Sequence, residues 1–158
     1  MSYEIRSILY ASDLTPRSPA VFKHAVGLAM KFNAKLHAVT ISLPASSTMP
    51  YEEFITREKL SEIKQAGHQR AEALLQSRID AFASNNPEME VQRVLASVQA
   101  LEGDPAARIL DTAKQVLADI IVMGSRGHSA IGELLIGSVA HKVMTKADVP
   151  VLLVPIDR

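Results

Sequence analysis

Glycine and hydroxyl residues gather in one stretch of this chain at a spacing suited to holding phosphate. Gly124, Gly127 and Gly137, followed by Ser138, read G-x2-G-x9-G-S, with Gly132 in the interval and a helical pattern beginning at Ser138. Glycine lets backbone approach a ligand closely and takes positive φ without strain. A helix start presents free N–H groups and partial positive charge, both of which attract an anion. Arg126 lies in the same stretch and is able to pair with phosphate, although a lone exposed arginine is more often simply hydrated. The run Gly132-x4-Gly137-Ser138-Val139 comes close to a P-loop but lacks its lysine, and no G-x-G-x-x-G follows the first strand. The competing reading is a surface loop whose glycines only turn the chain.

A second candidate is Ser12-Asp13, where the first apolar run ends. The Asp13 carboxylate suits a sugar hydroxyl or a base, and it equally suits an Asx-turn organising residues 14–17. Other chemistries find little support. The five histidines (His24, His37, His68, His128, His141) show no H-E-x-x-H spacing, and no G-x-S-x-G elbow makes Ser125 or Ser138 a nucleophile. Cysteine is absent, which removes disulfides, thiolate zinc sites and a thiol nucleophile together. No catalytic residue is assigned. The most that hydrolysis would have to work with is Asp13 or His128 orienting water, with a divalent ion bridging phosphates.

These residues need a scaffold, and 158 residues suffice for a single domain with a real core. Lys plus Arg equals Asp plus Glu at 17 each, so no global field recruits nucleic acid or anionic membrane. No signal peptide is visible between Met1 and Arg6, and no apolar stretch approaches the roughly 20 residues that span a bilayer. The expectation is a cytoplasmic protein with no membrane insertion.

Short apolar runs alternate with helical periodicity. Strands are expected at 7–11, 36–43, somewhere within 91–101, at 119–123 and at 149–154. Helices are expected from a Ser18 N-cap with Pro19 to Phe32, across 52–84, from Asp104-Pro105 to about Leu117, and over 138–146. In the long helix Ile63, Gly67, Ala71, Leu74 and Phe82 share one face. Such alternation predicts one doubly wound α/β domain over 1–158, a five-stranded parallel sheet in the order 3-2-1-4-5 with helices on both faces. Ligands on open parallel sheets bind beyond the carboxyl ends of strands where the winding reverses. In this order the reversal lies between strands one and four, beside Ser12-Asp13 and Gly124 to Gly127.

At these residues the chain resembles the universal stress protein family, from Ile8 to Pro155. The G-x2-G-x9-G-(S/T) pattern is that family's ATP-binding signature. Ile8-Leu9-Tyr10-Ala11-Ser12-Asp13, Glu102-Gly103-Asp104-Pro105-Ala106, Asp119-Ile120-Ile121-Val122-Met123-Gly124 and Val149-Pro150-Val151-Leu152-Leu153-Val154-Pro155 are similar to it as well. The resemblance implies the ATP-binding subclass. It places Ser12 and Asp13 near ribose and adenine, and Ile41 in the adenine pocket. It puts Met123, Gly124, Arg126 and Gly127 around ribose and phosphates, and Gly137, Ser138 and Val139 as phosphate donors. Ala140 departs from the pattern, since many ATP binders carry a hydroxyl residue there; AMP or ADP is therefore expected to bind comparably, with Mg²⁺ as an optional companion. The family also implies a homodimer through the last strand, from Val149 to Val154.

The function so implied is a nucleotide-dependent stress sensor or regulator, at most a slow ATPase. The alternative is a dimeric interaction protein that binds no nucleotide. A phosphoacceptor receiver domain shares the winding order but needs an acidic cluster, a further aspartate and a lysine, of which only Asp13 is in place.

Overall fold

The computed structural model describes residues 2–43, 56–125 and 136–156. Five strands form one parallel sheet: β1 (Ser7–Ser12), β2 (Lys35–Ser42), β3 (Leu95–Glu102), β4 (Ile120–Gly124) and β5 (Val151–Val154), in the order β3-β2-β1-β4-β5. The fold class and strand order are those expected. All six residues of β1 are buried. A central strand covered on both faces must be apolar throughout, as Ile8-Leu9-Tyr10-Ala11 is.

Period-two alternation then divides the core in two. Ile8, Tyr10, Leu36, Ala38 and Val122 face α1 (Ser18–Phe32) and α2 (Arg57–Asn85). Leu9, Ala11, Val39, Ile121 and Met123 face α4 (Pro105–Gln115) and α5 (Ser138–Lys146). Asp119 fixes the amino end of this arrangement, its Oδ2 accepting from the backbone N–H groups of Arg6 and Ser7 at 2.8 and 3.0 Å.

Several boundaries differ from expectation for identifiable reasons. β1 runs one residue further, so Ser12 is still in the strand, opposite Thr40. Ser18 is the first residue of α1 rather than its cap; Arg17 precedes it and no side chain caps that end. In α2 the buried residues are Leu75, Ile79 and Phe82, while Leu74 is 43% exposed. Of the expected face, only Phe82 is buried. The helix packs on β2 and β3, and only the C-terminal turns carry fully buried side chains.

The window 91–101 does hold the third strand, but its first four residues, Val91–Val94, form a helical turn, α3. Its two valines, three residues apart, both bury on the side facing α1, and the strand starts only at Leu95. Asp104 caps α4 as expected, accepting from the Ala107 N–H at 3.0 Å. That helix stops at Gln115, before Leu117, which takes φ 53° and is 80% exposed.

Candidate functional site

β1 and β4 are neighbours with Ala11 opposite Met123, so their carboxyl ends open side by side at the winding reversal. The β1 flank is organised by side chains. Ser12 Oγ accepts from the Leu14 N–H at 3.1 Å. Asp13 Oδ1 accepts from the Thr15 N–H at 2.9 Å and from the Thr15 hydroxyl at 2.8 Å. Together these hold Leu14 at φ 60°, a left-handed conformation that a branched side chain rarely adopts. The Asx-turn use of Asp13 is therefore real. A carboxylate accepts about four hydrogen bonds, so turn-making and ligand contact are compatible at one aspartate.

Three further hydrogen bonds secure this flank. The Thr15 carbonyl accepts from the Ser18 N–H at 3.1 Å and from Arg78 Nη1 of α2 at 2.6 Å. The Tyr10 hydroxyl donates to the Ser18 carbonyl at 3.3 Å, and its ring packs on Phe22. Burial pushes the Tyr10 pKa up to about 12, against the opposing effect of hydrogen bonds with Ser12 and Ser18.

The β4 flank is organised by backbone. Gly124 lies opposite Val154, and the Ser125 N–H donates to the Val154 carbonyl at 3.0 Å. The returning chain is pinned there, the Gly137 N–H donating to the Ser125 carbonyl at 2.7 Å. Gly137 is the N-cap of α5 at φ −69°, with no side chain capping the helix. That φ suits any residue, so positive φ does not explain its glycine. Ser138 is exposed and Val139 half-buried beside it. Ala140 is 2% exposed and belongs to the core under α5, so a hydroxyl at that position would have to fit within packed apolar surface.

Ile41 stands one strand over on β2, half-buried and packed against the α4-side core. The adjacent Ser42 carbonyl accepts from the Gly103 N–H at 3.0 Å. Gly103 takes φ 139°, and a Cβ there would sit 3.1 Å from Arg108 Cγ, so glycine is required at this turn. Ser12, Asp13, Ile41, Met123, Gly124, Gly137, Ser138 and Val139 thus all lie at the carboxyl end of one sheet or the helix start returned to it. Arg126 and Gly127, with Gly132 and His128, lie outside the described residues, as do residues 44–55.

Comparison with known proteins identifies the family and the fold. The family described as the universal stress protein family matches residues 4–155. The chain belongs to that family. It is 28% identical over 156 residues to universal stress protein MJ0531 of Methanocaldococcus jannaschii, covering 94% of this chain and 81% of that one. Two other curated relatives match only in part, the chain spanning 38% of one and 39% of the other. Among solved structures, the universal stress protein UspA from Lactobacillus plantarum superposes with a TM-score of 0.75 at 24% identity, covering 99% and 100% of the two chains. A universal stress protein in complex with cAMP superposes with a TM-score of 0.64 at 22% identity, covering 96% and 98%. At these identities the structural likeness establishes the fold.

Other features of this universal stress protein lie away from the sheet's carboxyl end. A cleft of about 860 Å³ opens between α4 and α5 above Ala118 and Ile121, and none of the nominated residues lines it. His37 bonds Ser97 Oγ at 2.7 Å on β2 and β3, and burial holds its pKa below the usual histidine value, with Lys35 adding to the effect. Among the described residues no group of three or more His, Cys, Asp or Glu could hold a metal ion. No described helix is long and apolar enough to cross a membrane. Thr15 and Arg78 were not legible from sequence as site residues. Thr15 carries the Asx-turn signal of Asp13 two residues before it, whereas Arg78 is 63 residues away on a helix with no local motif.

Proposed function

We propose that this chain is a stress-response protein that binds an adenine nucleotide, ATP, ADP or AMP, as a sensor or regulator. The observation that carries the reading is the return of α5 to β4. Gly137 bonds Ser125, and this brings a helix start with no side-chain cap beside the strand that adjoins Asp13. Backbone N–H groups and partial positive charge at such an end favour phosphate, and a carboxylate across from it favours hydroxyl or amine donors of a nucleoside. Arg126, Gly127 and Gly132 of the glycine signature lie between them in sequence. A cAMP-bound relative of the same fold supports the choice of an adenosine phosphate.

In this reading Ser12 and Asp13 meet ribose and adenine, and Ile41 lines the base. Met123, Gly124, Arg126 and Gly127 surround ribose and phosphates, and Gly137, Ser138 and Val139 present donors to the phosphates. Mg²⁺ enters only with the phosphates. The protein acts in the cytoplasm as a homodimer. Its β5 is an edge strand whose Val151, Leu152 and Leu153 are half-exposed, a surface that pairing with a second copy would cover.

Thermal unfolding of nucleotide-free protein with ATP, AMP or GTP tests the reading. Ligand at about a hundred times its Kd adds about 2.7 kcal/mol, which for this size is a rise of roughly 5–10 °C. A rise with ATP or AMP but not GTP is expected. No rise with any adenine nucleotide would leave the dimeric interaction protein as the better account.

A further inference from the structure

Leu14 at φ 60° is held in a conformation that is unfavourable for leucine, so something must over-determine the turn that contains it. Within the turn, Ser12 Oγ and Asp13 Oδ1 take the N–H groups of Leu14 and Thr15. The remaining strong handle is the Thr15 carbonyl. It receives the Ser18 N–H at 3.1 Å from the same loop, and Arg78 Nη1 at 2.6 Å from α2, 63 residues away. A guanidinium bond to a carbonyl is charge-assisted and directional.

The helix segment that delivers Arg78 is itself fixed. Leu75 and Ile79 are buried in the cluster that holds Tyr10 and Phe22, and Phe82 packs edge-on against Phe22 with ring centroids 5.0 Å apart. Arg78 is half-buried and, with Tyr10, Ser12 and Ser18, lines a small cavity under the turn. The bond from Arg78 to the Thr15 carbonyl thus comes from the best-packed part of α2.

We propose that Arg78 is a positioning residue for the nucleotide site: its bond to the Thr15 carbonyl holds the turn that presents Asp13, and so sets how tightly an adenine nucleotide binds. This rests on the nucleotide reading above. Arg78 touches no ligand in this account. It acts through Thr15 on the orientation of the Asp13 carboxylate, because Thr15 is the residue whose N–H and hydroxyl hold Oδ1. Linkage makes the effect reciprocal, so bound nucleotide strengthens the α2 tether by the same factor.

The test uses the full chain with Arg78→Met, which keeps the aliphatic stem, and Arg78→Lys, which keeps a cation of shorter reach. Three quantities are read: the ATP Kd by calorimetry, amide exchange at Leu14 and Thr15, and the thermal midpoint without nucleotide. Arg78→Met is expected to weaken ATP about tenfold, or about 1.4 kcal/mol, and to speed exchange at both amides. Its midpoint moves by less than about 4 °C, and Arg78→Lys recovers part of the affinity. Wild-type affinity in Arg78→Met overturns the proposal. So does a loss of affinity matched by global destabilisation, with exchange at Leu14 and Thr15 no faster than elsewhere. If wild-type protein takes no ATP, the nucleotide reading itself fails. Exchange at the two amides then still decides whether Arg78 holds the turn, and unchanged rates overturn it.

Discussion

The two flanks of the candidate site are built by different means. On the β1 side the chain from Ser12 to Ser18 is held by side chains: two oxygens of Ser12 and Asp13, the Tyr10 hydroxyl and Arg78. On the β4 side the described contacts are backbone to backbone, Ser125 to Val154 and Gly137 to Ser125, with no side-chain cap on α5. A flank held by side chains has a fixed shape before any ligand arrives. A flank that keeps its helix N–H groups uncapped retains donors to offer. Under the nucleotide reading proposed above, the β1 side is the part preorganised for the nucleoside and the β4 side the part that supplies phosphate contacts.

The largest expected effect comes from breaking the β1 flank at its centre. Asp13→Ala removes a charged acceptor, and a hydrogen bond to such a group is worth about 1.5–3 kcal/mol; the turn is loosened with it. Affinity for ATP should fall by about a hundredfold or more in calorimetry. Asp13→Asn sharpens the comparison, because asparagine retains the Asx-turn acceptor without the charge. Recovery of most affinity in that variant would assign Asp13 to shaping the loop alone. Continued loss would assign it to the ligand as well.

Breaking the other flank should cost less and spare the first. Gly127→Val adds bulk within the glycine signature and is expected to weaken ATP by at least about tenfold, with the oligomeric state and the exchange rate at Thr15 unchanged. Wild-type affinity in this variant would show that the glycine stretch is only a turn. A change at Thr15 would show instead that the two flanks are not independent.

The legible part of this molecule was whatever short-range pattern controls. Buried strands announced themselves as apolar runs, and Asp104-Pro105 as a helix start. The misread features depend on partners distant in sequence. Ser18 had the composition of a cap, but the Thr15–Ser18 turn and the Tyr10 hydroxyl bind its backbone into the loop instead. The third strand could be placed only within a window, 91–101, because the packing of Val91 and Val94 on α1 makes a helical turn before it. The periodic face of α2 was read through Leu74, whereas the sheet meets Leu75, Ile79 and Phe82. Arg78 was invisible because its acceptor is a backbone carbonyl, which leaves no trace in side-chain pattern. Asp13 was half legible: its Asx-turn was one of two uses left open by the sequence, and the turn is the one its bonds to Thr15 show.

The smallest expected effect separates packing from ligand contact on the β1 flank. Tyr10 keeps its proton in the folded state up to about pH 12 because its ring and hydroxyl are buried, whereas an unfolded tyrosine ionises near 10.0. Between those values the folded state binds more protons than the unfolded one, so stability falls as pH rises. The contribution is complete below pH 10 and is lost toward pH 12, on the order of 2–3 kcal/mol in all. Denaturant unfolding at pH 10 and above should show this decline in wild-type protein, and much less of it in Tyr10→Phe. At neutral pH the same variant gives up one long hydrogen bond to Ser18, about 1 kcal/mol of stability. Its ATP affinity should change by no more than about threefold, since Arg78 and Asp13 still hold the turn. An alkaline decline that persists undiminished in Tyr10→Phe would place the responsible group elsewhere. A loss of affinity as large as that of Asp13→Ala would mean that Tyr10, and not the Asp13–Thr15 bonds, is what keeps the first flank in shape.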